Sequence, residues 1–177
     1  MRHFLANIAI YTIAVLLILG ATVFAWVRSQ QVVLTSERTV LARFEPTPEH
    51  EFLWPQLGPA SYERNCMNCH LESGRGWDQY PGVGHTAALF GGPGGREYLI
   101  DVHLYGLTSD RWRVPMPPMR HMADVELAAV LNYLLTSFGN ERVLPPDAPL
   151  YLPTDIMARR GLRLSSAEVN EYRPPVD

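Results

Sequence analysis

The sequence predicts an all-α protein: one N-terminal transmembrane helix, then a small domain of three or four helices joined by Pro/Gly-rich loops. Three observations carry that expectation. Residues 4–26 form an unbroken run without a charge. Residues 124–138 repeat apolar side chains at three- and four-residue steps, the helical period. The 15 prolines and 13 glycines, all but Gly20 beyond residue 45, exclude a simple helical bundle. At 177 residues the chain holds one modest domain plus extras, not a multidomain enzyme. Its net charge of -3, from 15 basic and 18 acidic residues, argues against a nucleic-acid partner. Only two cysteines are present, so a disulfide-stapled scaffold is excluded.

The first element is FLANIAIYTIAVLLILGATVFAW, Phe4 to Trp26. As a helix it spans roughly 34 Å at about 1.5 Å per residue, enough for a ~30 Å hydrocarbon core. Trp26 and Arg28 mark a membrane–water boundary. A cleaved signal peptide is the competing reading. Its apolar core usually runs ~7–15 residues, shorter than this one, and Val23-Phe24-Ala25 is a poor cleavage site. Residues 1–27 therefore read as an uncleaved signal anchor, in contact with lipid over residues 4–26. Arg2 precedes the span and Arg28, Arg38 and Arg43 follow it, so arginine counting alone leaves the C-terminal bulk in the cytoplasm. Residues 28–57 read as a stalk. It starts helical, with Val32, Val33, Val40 and Leu41 among polar residues, and breaks at Pro46 and Pro48.

Residues 66–70 read Cys-Met-Asn-Cys-His, the attachment signature of a c-type haem. Two thiols one helical turn apart can add to vinyl groups on adjacent pyrrole rings, and the following histidine is then held beneath the iron. Ser61 to Asn65 supplies a preceding helix with Ser61 as its N-cap. A zinc site would need a second ligand pair, and none exists. A thioredoxin-like pair would need βαβ surroundings, and the flanks are Gly/Pro-rich loops. A structural disulfide across three residues would close almost nothing. Downstream, Val114-Pro115-Met116-Pro117-Pro118-Met119 offers a thioether on a proline-stiffened loop, the group that raises the potential of a c-type iron. Met67, Met122 and Met157 read as core filler.

With these residues in view, Gly58 to Asn140 resembles the class I, Met/His-ligated cytochrome c family, above all the membrane-anchored monohaem subunits of bacterial respiratory complexes. Gly74-Arg75-Gly76 and Tyr80-Pro81-Gly82-Val83 match its Gly-rich segment. Tyr98 to Leu107 matches the middle helix, Met116-Pro117-Pro118-Met119 the ligand loop, and Asp124 to Phe138 the final helix. The resemblance implies one covalent haem c on Cys66 and Cys69, with His70 and Met116 as axial ligands of the iron. Met116 takes the family's ligand position eight residues before Asp124. Met119 is the runner-up sixth ligand, and His121 a bis-histidine option. It further implies that the Pro81 carbonyl accepts from the other ring nitrogen of His70. Leu71 stands where the family has glycine, and Ala123 where it has a serine cap, leaving Asp124 to cap with Glu126 in the first turn. His85 and His103 are placed on loop and helix surfaces.

In the final helix, Leu127, Val130, Leu131, Leu134, Leu135 and Phe138 form one apolar face toward the haem, and Gly139 supplies the stop. Tyr133 packs on the helix that carries Cys66. Residues 141–177 read as a Pro-rich extension with short helices, the second opened by the capping-box pattern Ser165-Ser166-Ala167-Glu168. Residues 143–162 look inserted relative to the family. Their apolar Leu150, Tyr151, Leu152, Ile156 and Met157 suggest a partner-docking segment.

The resemblance implies single-electron transfer by a non-catalytic subunit, with membrane redox proteins as partners. Because it also implies haem attachment after export, the expected topology is single-pass in the bacterial inner membrane. The N-terminus is then cytoplasmic and the haem domain (residues 58–140) periplasmic. The alternatives are an autonomous tethered shuttle, a haem peroxidase, which needs an open iron position, and a haem sensor, which needs an output domain.

Overall fold

The computed structural model describes residues 2–176, with side chains described outside positions 2, 3, 5, 6, 9 and 32–36. Those omitted positions include Arg2, Val32 and Val33, whose side-chain expectations therefore lie outside the described residues. The chain divides into two compact units, Met1–Arg43 and Phe44–Asp177. Among the described residues there is no β-strand, only two isolated bridges.

The first unit is one helix, α1 (Arg2–Ala42). Its segment Ile10–Gln31 has a mean hydropathy of 2.3, long and apolar enough to cross a membrane, a test that a signal sequence also passes. Leu17 and Phe24 are 68% and 67% exposed, as lipid-facing side chains would be. The helix continues without a break through the expected start of the stalk.

The second unit opens with α2 (Trp54–Asn65) and the single turn α3 (Met67–His70). The helix starts seven residues before Ser61, which is fully buried inside it and caps nothing. Pro55 supplies the start, since a proline near the first helical position has its angle preset and lacks an N–H that would have no partner there. The haem-domain boundary expected at residue 58 falls inside this helix. Gly58 marks its crossing with α6 (Asp124–Leu135): a Cβ there would sit 2.6 Å from the Ala129 carbonyl oxygen.

Between them lie α4 (Thr86–Gly91) and α5 (Gly95–Tyr105). After α6 come a 3-10 turn (Asn140–Arg142), α7 (Pro153–Arg159) and α8 (Ser166–Glu171). Helix α6 ends at Leu135, not at Gly139. Phe138 adopts φ 62° beyond it and packs tilted against Tyr62 and edge-on against Tyr133, at ring-centroid distances of 5.0 and 5.4 Å. Nor does α6 have a single apolar face. Leu127, Ala128, Ala129, Val130, Leu131 and Leu135 are all fully buried, because α2 and α7 both pack on it. Asp124 is the first helical residue rather than the cap, and its carboxylate pairs with Arg160 at 2.6 Å. Glu126 accepts from the Ala123 N–H at 3.3 Å and from Arg64 at 2.8 Å.

The tail belongs to this core. Tyr151, Ile156 and Val169 are fully buried. Asn132 on α6 donates to the Tyr151 carbonyl (2.9 Å) and accepts from the Tyr151 N–H (2.7 Å), as a neighbouring strand would. Asp101 on α5 is fully buried and held by Arg159, whose Nε donates at 2.8 Å, and by the Tyr172 hydroxyl at 2.6 Å. Of the residues expected to dock a partner, Tyr151 and Ile156 are thus packed inside, while Leu152 and Met157 stay 46% and 62% exposed. The Ser165–Glu168 capping box is present, with Ser165 Oγ accepting from the Glu168 N–H at 3.2 Å.

Candidate functional site

The turn α3 sets Cys66, Cys69 and His70 in order. The amides of Cys69 and His70 both donate to the Cys66 carbonyl, at 3.1 and 2.9 Å. The two cysteines are not joined to each other as a disulfide. Before attachment, burial, reinforced by the nearby Cys69, pushes the Cys66 thiol up to about 12.

The turn stops at Leu71, with φ 61° and ψ 163°, a region that only glycine enters without strain. The Leu71 carbonyl accepts from the Tyr62 hydroxyl at 2.8 Å, which holds the strained residue in place. Leu71→Gly should therefore stabilise the protein. Relieved strain of about 1–3 kcal/mol exceeds the ~0.4–1 kcal/mol of extra unfolded-chain entropy, and the side chain, already 37% exposed, has only part of a leucine's burial to lose. A denaturant midpoint lower than wild type would contradict this.

His70 Nδ1 donates to the Pro81 carbonyl at 2.8 Å. The loop reaches that position because Gly76 sits where a Cβ would lie 2.2 Å from the Tyr80 carbonyl oxygen. The Gly76 amide donates to the His70 carbonyl (3.0 Å) and the Val83 amide to the Gly74 carbonyl (2.8 Å). With Nδ1 committed, Nε2 of His70 is left as the basic nitrogen.

Two adjoining cavities, one slightly larger than the other, share His70, Cys66, Pro81, Leu107, Trp112 and Met116 along their walls. Met116 is pinned by a two-way backbone pair with Leu107, at 3.0 and 2.9 Å. Gly106 permits the approach, since at φ 79° a Cβ would lie 2.5 Å from the Met116 carbonyl oxygen. Met119 and Cys69 line only the smaller cavity. His121 is exposed, lines neither, and has its Nε2 3.5 Å from Asn65 Oδ1.

Several wall residues differ from the sequence expectations. His103 is not on a surface: it is 6% exposed, and it lines the larger cavity with half-buried His85. Burial holds His103 down to about 4 and is the main cause of the lowered His85 value, which Arg173 and His70 reinforce. The period was the available signal, because Leu99, Val102 and His103 are i, i+3 and i+4 on α5 and all line this cavity. Arg173 reaches the same cavity from the tail and donates to the Tyr98 hydroxyl at 3.0 Å. Asn140, 1% exposed, ties the site's far edge: it accepts from the Ala87 N–H (3.0 Å) and donates to the carbonyls of Val83 (2.8 Å) and Leu134 (2.9 Å).

These residues fit a haem c. The walls are mainly apolar, an imidazole and a thioether project from them, and the two thiols lie at the edge. The Arg173 Nε–H, buried without a partner among the described residues, fits an anionic propionate.

A family model described as Cytochrome c matches residues 55–138. The chain is also 30% identical over 125 residues to cytochrome c-552 of Thermus thermophilus, an alignment covering 64% of this chain and 92% of that protein. A second cytochrome c-552 of the same organism is 30% identical over 125 residues, with 82% of its length covered.

Proposed function

The chain belongs to the cytochrome c family and carries covalent haem c, and from that premise we propose a membrane-anchored monohaem subunit passing single electrons on the periplasmic side. Its work is electron transfer, and its host is a respiratory or other electron-transport complex of the bacterial inner membrane. The observation that carries the reading is the shared wall of the two cavities, which His70 and Met116 both line together with Cys66.

In this reading Cys66 and Cys69 would hold the haem through thioether bonds, and His70 Nε2 and Met116 sulfur would bind its iron. Met116 is preferred to Met119 because it lines both cavities and is fixed by Leu107. The Pro81 carbonyl holds the His70 ring in one tautomer and makes Nε2 more basic. The haem supplies the one-electron chemistry, its iron cycling between two oxidation states. The chain excludes water with Leu99, Val102 and Leu134 and places cationic Arg173 where a propionate needs a partner. Helix α1 keeps the domain at the membrane, raising its effective concentration beside other membrane redox proteins. Val143, Leu152, Met157 and Leu162 are among the outward apolar residues that the tail leaves for such a partner.

Acid-acetone extraction followed by denaturing electrophoresis should leave haem stain on the chain, and Cys66→Ala/Cys69→Ala should abolish it. The stained chain should resist carbonate extraction from membranes, be cut by protease added to spheroplasts, and co-purify with other subunits. Stained protein released by carbonate, or protected until lysis, would overturn the anchor or the topology. A membrane chain that supports full electron flow with no associated subunit would replace the subunit by a tethered shuttle.

A further inference from the structure

The larger cavity holds two imidazoles that the electron-transfer reading leaves unused, His85 and His103, and among the described residues only His103 has a ring nitrogen tied to a carbonyl. His103 projects from α5 into the space that His70 and Met116 line. Its Nδ1 lies 2.7 Å from the Leu99 carbonyl one turn back. A carbonyl can only accept, so Nδ1 carries the ring proton and Nε2 presents a lone pair. Among the described residues Nε2 has no hydrogen-bond partner, although the residue is only 6% exposed.

The arrangement repeats that of His70, whose Nδ1 is likewise committed to a backbone carbonyl. It is the arrangement in which histidine binds metals, one nitrogen tied to an acceptor and the other left basic. Burial keeps the ring neutral at neutral pH, so ligation would displace no proton from it. The same tautomer excludes the simpler role of donating to the Met116 sulfur, because Nε2 has no hydrogen to give. His103 is also built into the frame of the ligand loop. Its carbonyl accepts from the Met119 N–H at 2.7 Å, and Met116 is tied to Leu107, four residues further along the chain.

We propose that His103 is a reserve sixth ligand, whose Nε2 binds the haem iron whenever Met116 leaves it. The exchange is a simple ligand substitution in which the thioether dissociates, the neutral imidazole coordinates, and no electron or proton is transferred. The proposal rests on the assignment of His70 and Met116 as ligands.

Four haem-loaded, detergent-solubilised full-length proteins test it: Met116→Ala, Met116→Ala/His103→Leu, Met116→Ala/His103→Gln and Met116→Ala/His121→Leu. The measurements are the ferric optical spectrum, the electron paramagnetic resonance spectrum and the affinity for added imidazole. Met116→Ala should be low-spin with a bis-imidazole signature and no methionine–iron band. Removing His103 by either substitution should give a high-spin iron and tighten imidazole binding by about tenfold or more, while His121→Leu should change neither. The glutamine variant keeps a polar group of similar size in case leucine disturbs folding. A high-spin Met116→Ala protein overturns the proposal, as does a low-spin state that survives loss of His103 or disappears with His121. A methionine–iron band persisting in Met116→Ala overturns the ligand assignment itself, a result distinct from the others.

Discussion

Met116→His should keep the haem attached and lower the reduction potential by roughly 0.1–0.3 V, within the ~0.8 V range that axial ligands command. The thioether bonds do not depend on the sixth ligand, so attachment survives. A thioether favours the reduced iron, and an imidazole in its place removes that preference. The methionine–iron charge-transfer band should vanish with the same substitution. Met119→His should leave both the band and the potential near their starting values, since Met119 reaches only the smaller cavity. A redox titration of the two variants beside wild type decides the matter. Loss of the band in Met119→His alone would move the ligand to Met119.

Arg159→Ala should destabilise the haem-loaded domain by about 3–5 kcal/mol, the usual loss when one partner of a buried ion pair is removed. Asp101 is fully buried on α5, and Arg159 donates to both of its oxygens from α7. The alanine variant leaves the carboxylate with only the Tyr172 hydroxyl at 2.6 Å. Since a domain of this kind has about 5–15 kcal/mol in total, such a loss is a large share of it. Denaturant unfolding followed by haem absorbance measures the difference. The paired change Asp101→Leu/Arg159→Met should recover most of it, because two apolar residues leave no charge to solvate. A loss below about 1 kcal/mol in Arg159→Ala would mean that water reaches the carboxylate once the guanidinium is gone.

The parts of the molecule legible in the sequence are those whose cause is local. The charge-free run ending at Trp26, the Cys66–His70 turn and the spacing from His70 to Pro81 are each set by neighbours within a few residues. Long-range packing hid the rest. Ser61 has the chemistry of a cap, but Pro55 had already started the helix and the serine was carried into its interior. Apolar periodicity reported one face of α6 and missed that α7 covers the other, because alanines and an asparagine lie on it. Tyr151 and Ile156 read as residues waiting for a partner, and the partner is the chain's own α5 and α6. Histidine's polarity placed His103 outside, whereas its step from Leu99 and Val102 puts it within. Asn140 looked like the end of a family ending and is a three-bond brace, a role visible only when Val83, Ala87 and Leu134 are brought together.

The position of Arg173 bears on the order in which the protein is made. Ribosomes build a chain from its N-terminal side onward, so the Cys66–His70 turn exists well before the residues that close the larger cavity. Until α8 and the segment after it arrive, Tyr98 lacks its guanidinium partner and Asp101 lacks the Tyr172 hydroxyl. A nascent chain therefore presents its haem-attachment turn beside an unfinished pocket, and Tyr172 and Arg173, made about a hundred residues later, act as the latch.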